Sequence, residues 1–183
     1  ITVEVNVDNG IGYHLVGLPD NAIKESNFRI AVALENNGFR IPRKKSSSTL
    51  SPADMRKEGS AYDLTLAVGI LAASNQIKAQ ELERYVIMGE LSLDGSLQPI
   101  KGALPIAIKA KQEGFKGFIL PDENAKEAAI VEGLMVYGVE HILDVINFFD
   151  KNKTLTPTHF HIKQEFESAL LKPEFDFADV KGQ

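Results

Sequence analysis

Ile1, Val3, Val5 and Val7 alternate with Thr2, Glu4 and Asn6, and this period of two predicts a half-buried strand at the start of the chain. Asp8-Asn9-Gly10 reads as a turn, so Tyr13 to Val16 is expected to return as the second strand of a hairpin. Pro19 and Asp20 open a helix in which Ile23, Ile30 and Leu34 recur at helical spacing, Asp20 caps the free amides, and Asn37-Gly38 supplies a left-handed stop. Residues 40–51 carry Pro42 near their start and three serines, Ser46 to Ser48, where an apolar alternation would otherwise stand, and so predict an edge strand or a loop. Ser60 and Asp63 have the spacing of a capping box, with Asp in place of the usual Glu. They precede a helix that is apolar almost all round from Leu64 to Ala73, which marks it as the buried centre of the domain.

Further along, Tyr85 to Leu93 predicts a strand, Asp94-Gly95 a tight turn, and Leu97 the start of the partner strand. Helices are expected over 102–113, 124–132 and 141–149, with short strands at 118–120 and 135–139 between them. In the last helix Ile142, Val145, Ile146 and Phe149 share one face. Strands and helices alternate up to Phe149, which defines an α/β or α+β domain over residues 1–150. Past Lys151 prolines and turn formers replace periodicity, so 151–183 reads as a linker.

Composition narrows the class. With 183 residues, 44% hydrophobic and 25% charged, the chain has the make-up of one folded domain plus a remainder. Its longest apolar run falls short of the ~18–20 residues a membrane span needs. There is no Cys, which excludes disulfides, a thiolate zinc site and a Cys nucleophile, and fits a cytoplasmic location. The opening Ile stands inside a strand pattern without the features of a signal peptide, so a few upstream residues are expected. The net charge of -5 argues against a globally basic nucleic-acid binder. One segment departs from that average: residues 40–57 hold Arg40, Arg43, Lys44, Lys45, Arg56 and Lys57 against Asp54 alone, a local +5 that leaves -10 for everything else. Such a cluster either tracks a phosphate backbone or keeps a solvated strand edge from pairing, and charge alone does not choose between them.

Other chemistry is sparse. The sequence has neither a G-x-x-x-x-G-K-[ST] loop nor a G-x-G-x-x-G turn, and Gly10-Ile11-Gly12 belongs to the predicted hairpin turn, so no nucleotide site is expected within the chain. His159 and His161 lack a third ligand at suitable spacing, while His14 and His141 stand alone, so no metal site is expected. Asp122 and Glu123 fall at a helix start, where they complement the macrodipole.

Two dense segments carry more. Met88-Gly89-Glu90-Leu91-Ser92-Leu93-Asp94-Gly95-Ser96-Leu97-Gln98-Pro99-Ile100-Lys101-Gly102, followed by a helix and Phe118-Ile119-Leu120-Pro121, resembles the proteolytic domain of Lon proteases and the related C-terminal domain of the recombination protein RadA. Val16 to Ser26 and Ser51 to Leu64 resemble the N-terminal, ChlI-type domain of the ComM (YifB) family of magnesium-chelatase-like AAA+ ATPases, and that likeness runs from the first residue to about Phe149. Residues 176–183 look like the lead-in to the family's ATPase module. The resemblance implies a Lon-protease-like α/β (α+β) domain of the ribosomal protein S-five domain-2-like superfamily, a mixed sheet with packed helices. It also implies a part in a hexameric, DNA-branch-migrating protein of natural transformation. ATP and magnesium would be held by the module beyond this chain, and DNA would be the partner, with Arg40, Arg43, Lys44, Lys45, Arg56 and Lys57 as the contacting candidates.

A Lon-type site needs a Ser nucleophile and a partly buried Lys to accept its proton. Matching to Lon relatives puts Ala61 at the Ser place, after Glu58-Gly59-Ser60, and Ile106 at the Lys place. Neither side chain transfers a proton, so the resemblance implies the Lon scaffold without its peptidase chemistry. An interaction or regulatory domain of a magnesium-chelatase-like ATPase is the alternative expectation, and an active serine peptidase is disfavoured.

Overall fold

In the computed structural model residues 2–8, 13–16, 21–41, 45–51, 60–78 and 80–160 are described. Strands β1 (Thr2–Asp8), β2 (Tyr13–Val16) and β3 (Lys45–Ser51) form the first sheet, in the order β1-β3-β2. The expected hairpin between β1 and β2 is therefore absent: β3 lies between them, antiparallel to β1 and parallel to β2. The serine-rich segment is thus a central strand rather than an edge. Its backbone is paired on both sides, and Ser48 stands in register between Val5 and Leu15, Ser46 between Val7 and Tyr13. Pairing of this kind is set by tertiary contacts, which a local alternation of side chains does not record.

Helix α1 (Asn21–Asn36) ends as expected, with Gly38 at φ +83° and the Phe39 N–H donating to Leu34 O at 3.0 Å. Helix α2 (Asp63–Ala73) is the buried centre its sequence predicts, with Leu64, Leu66, Ala67, Val68, Ile70 and Leu71 all in the core. It presses close to the first sheet at Gly69, where an added Cβ would lie 2.6 Å from Val5 Cγ2.

The second sheet, β4 (Tyr85–Ile87), β7 (Gly117–Pro121) and β8 (Met135–Val139) in the order β4-β7-β8, is wholly parallel. Helices α3 (Ala103–Gln112) and α4 (Asp122–Ala128) pack with it, and α5 (Ile142–Phe149) follows β8. Alternation along the strands divides the core in two. Phe118, Leu120 and Val136 join Ala103, Ala107 and Ala125, whereas Ile87, Ile119 and Tyr137 join α2 and Val145, Ile146 and Phe149 of α5. Tyr85 meets the rings of Phe148 and Phe149 edge-on, with centroids 5.6 Å away in each case.

The strand expected over 85–93 is broken. After Ile87 the chain bends at Met88-Gly89 and enters β5 (Glu90–Leu91), which pairs antiparallel with β6 (Leu97–Gln98) in a separate ribbon. The bend has a tertiary cause: the Gly89 N–H donates to Ala61 O at 2.8 Å and Gly89 O accepts from Leu64 N–H at 3.0 Å, so this backbone is committed to the start of α2. Helix α4 starts two residues earlier than its pattern suggests and stops at Ala128. Packing also continues past Phe149, into what reads as linker: Leu155 is buried and Thr158 N–H donates to Val136 O at 2.8 Å.

Candidate functional site

In parallel α/β sheets ligand chemistry gathers at the carboxyl ends of the strands. Here that end holds the Met88-Gly89 bend, the first turn of α2, the β5–β6 ribbon and the loop leading into α3. Ala61 and Ile106 both pack, half-buried, against the same apolar cluster of Ile100, Ala103, Ala107, Phe118 and Leu120. The structure therefore brings the two places together on one cluster, one from the approach to α2 and one from the first turns of α3. The approach to α3 is held by α4: the Asn124 side chain pairs with both Ile100 N–H (2.8 Å) and Ile100 O (2.9 Å), and Glu127 Oε1 accepts from Leu104 N–H (2.9 Å). Gly102, at φ +76°, makes the turn into the helix.

Ser60 is not the cap its spacing suggests. Tyr62 occupies the N-cap without a side-chain hydrogen bond, and Ser60 Oγ donates to Glu90 Oε2, while Ser60 O accepts from Asp63 N–H. This Ser–Glu pair ties the approach to α2 to the start of β5. The hydroxyl of Thr65, one turn further on, donates to Ile87 O.

Beside this pair lies a buried polar lock that the spacing of residues does not reveal. Asp63 is completely buried, and its carboxylate accepts from Arg29 Nε at 3.0 Å, Arg29 Nη2 at 3.3 Å and Leu91 N–H at 3.2 Å. Ser26 bonds to the same carboxylate and accepts from Arg29 Nη2 at 3.0 Å. Burial pushes the Asp63 carboxyl above its ordinary value, against the pull of these donors, and the bond to Asp63 raises Arg29 in turn. Burial likewise raises the Tyr62 phenol. One sequence feature foreshadows the lock: Asp63 is the charged residue heading a helix that is otherwise apolar.

Of the basic candidates, Arg40 and Lys45 are among the described residues. Arg40 is exposed just after α1, where its backbone exchanges hydrogen bonds with the Gln76 amide at 2.8 and 2.7 Å. Lys45 begins β3, and Arg43, Lys44, Arg56 and Lys57 lie outside the described residues. His141 caps α5, its Nδ1 accepting from Leu143 N–H at 3.2 Å and its Nε2 lying 3.1 Å from Asp94 O. Among the described residues no three His, Asp or Glu side chains converge as metal ligands, and no helix is long and apolar enough to cross a membrane.

A mixed α/β domain with a parallel sheet, carrying Ala61 and Ile106 on one apolar cluster, fits a Lon-like domain. In keeping with this, the chain is 31% identical over 120 residues to Lon protease 2 of Bacillus subtilis, covering 64% of this chain and 21% of that protein. Residues 3–124 match the family described as subunit ChlI of Mg-chelatase, and the chain belongs to that family. It is also 37% identical over its whole length to the competence protein ComM of Haemophilus influenzae and 38% identical to YifB of Escherichia coli. The chain spans 36% of the former and 35% of the latter, about a third of the length of these relatives.

Proposed function

We propose that this chain is the N-terminal, non-proteolytic domain of a cytoplasmic ComM-like AAA+ ATPase, and that it assists DNA engagement or hexamer assembly during branch migration and recombination of transforming DNA. The observation that carries the reading is the 37% identity to a competence protein across all of this chain. ATP and magnesium belong, on this reading, to a C-terminal module outside the chain. The retained Lon-like frame serves as a binding and assembly module, since Ala61 and Ile106 offer no nucleophile and no base. The basic segment from Arg40 to Lys57 supplies the phosphate contacts.

A salt titration tests the DNA half of the reading. Affinity for branched and single-stranded DNA is measured by fluorescence anisotropy, for the parent and for Arg43→Ala/Lys44→Ala/Lys45→Ala. Each engaged cation contributes about 0.9 to the slope of log affinity against log salt on duplex and about 0.7 on single strands. The triple variant is expected to bind more weakly at low salt and to flatten that slope by about two to three units, with little sequence dependence. Unchanged DNA binding with loss of ring assembly in the longer protein assigns the segment to protein contacts, the alternative role of an interaction or regulatory domain. No change in either measurement leaves the cations as a solvated face.

A further inference from the structure

Three elements meet at the turn between β5 and β6. The Asp94 carbonyl oxygen lies 2.8 Å from Asn37 Nδ2, just past the end of α1, and 3.1 Å from His141 Nε2, at the start of α5. Gly95, at φ +95°, is seated so tightly against both that an added Cβ would lie 2.5 Å from Asn37 Nδ2 and 2.9 Å from His141 Cε1. The backbone of the turn is joined to the approach to α5 as well, with Ile142 N–H donating to Gly95 O at 2.9 Å and Leu97 N–H to Glu140 O at 2.8 Å. His141 adds contacts of a different kind, because its half-buried ring is also the N-cap of α5.

The partners of the two ring nitrogens fix their roles. The Leu143 N–H, 3.2 Å from Nδ1, can only donate, so Nδ1 holds a lone pair. The Asp94 carbonyl can only accept, so Nε2 carries the proton. One neutral tautomer satisfies both. We propose that His141 is a protonation-sensitive clamp, which in its neutral Nε2–H form caps α5 and ties it to the β5–β6 turn, and which gives up the cap when the ring gains a proton. The imidazolium carries a proton on each nitrogen, so Nδ1–H then faces the Leu143 N–H, donor against donor. Its charge also falls at the amino end of a helix, where a cation is unfavourable. The bond from Nε2–H to Asp94 O needs only a donor and survives. Protonation therefore converts a ring that bridges two elements into one that holds the turn alone. The charged groups beside it are Asp94 in the turn, Glu140 ahead of the cap, and Asp144 in the first turn of α5, paired with Lys153 at 2.7 Å. The Ser96 amide and hydroxyl hold the Asp94 carboxyl below its ordinary range, with a smaller contribution from His141. From α1 come exposed Glu35 and the uncharged amides of Asn36 and Asn37, which reach the turn at Leu93 O and Asp94 O. These surroundings, acidic apart from the paired lysine, do not repel a cation, so the penalty for charging the ring falls on the cap.

NMR on this chain tests the clamp. At about pH 8 proton–nitrogen correlation spectra of the His141 ring should show the neutral Nε2–H tautomer, and the opposite tautomer would overturn the proposal. As the pH falls to about 5, the Leu143 amide proton should move upfield with the midpoint of the ring, while the Ile142 and Leu97 amides stay protected. A ring that stays neutral over that range, or a Leu143 amide that ignores the protonation of His141, would overturn it. So would joint loss of protection at Ile142 and Leu97, which would mean that the whole junction gives way. His141→Asn supplies a cap that does not titrate, and should keep Leu143 bonded while abolishing its pH response; an unchanged response would assign it to another group. At about pH 8 His141→Ala should speed Leu143 amide exchange about fivefold, as the loss of one side-chain cap requires, and His141→Asn should not. Equal rates in the two variants would show that the ring is not the cap.

Discussion

Asp63 is a carboxylate that the core closes over completely, and it pairs with Arg29 from another helix. Removing one partner of such a pair leaves a buried charge without compensation. Arg29→Met should cost about 2–3 kcal/mol at neutral pH, somewhat less than for a wholly enclosed pair because the guanidinium is partly in water. The sign of the pH dependence follows from the raised carboxyl of Asp63. The folded state keeps that proton at a pH where the unfolded chain has lost it, so stability falls as pH rises from the ordinary carboxylate value of 3.8 through the raised one. Losing Arg29 removes the largest opposing effect and pushes the carboxyl higher still. The penalty of the variant should accordingly shrink as the pH falls towards 4, which urea unfolding across pH 4–8 would measure; a penalty constant with pH would mean that Asp63 is not the group left behind. Residue types alone marked Asp63 as a member of a capping box. Its real partners, Ser26, Arg29 and the Leu91 amide, are up to 37 residues away in the sequence, and only tertiary packing joins them.

Among the elements, α2 is the most legible: an uninterrupted apolar surface has no stable place except the centre of a domain. The strands divide differently. β8 was readable to the residue because a short apolar run between turns belongs in a buried parallel sheet, whereas β3 was not, since three serines give no alternation and its centrality comes from the neighbours on either side. The break at Met88-Gly89 was hidden for the same reason, because hydrogen bonds to Ala61 and Leu64 cause it. The contact between α2 and β1 gives a direct test at Gly69. In a solvated helix Gly→Ala stabilises by about 1 kcal/mol, but here the new Cβ would meet the stiff, branched side chain of Val5. Gly69→Ala should destabilise by about 1–3 kcal/mol. Adding Val5→Ala relieves that clash, so the two substitutions together should cost less than the sum of their separate costs. Additive costs in thermal or denaturant unfolding would place the helix farther from the sheet than described.

At the scale of the molecule, the structure joins a Lon-like frame to an apolar cluster on which Ala61 and Ile106 both pack. The frame was visible through the Gly-Glu, Asp-Gly and Pro-Ile-x-Gly order, and the chain's membership in the ChlI family accords with it. What the sequence did not show is how the site is held: the Ser60–Glu90 tie, the Asn124 bridge to Ile100 and the Asp63 lock are all long-range. The claim at the centre of this account is that the frame persists without a nucleophile. Intact-mass spectrometry after exposure to a serine-directed phosphonate tests it most directly, because the reagent needs an activated hydroxyl and no knowledge of substrate. The account predicts an unchanged mass, with Ser60 held to Glu90 and unreactive; a stoichiometric adduct mapped to Ser60 would contradict it.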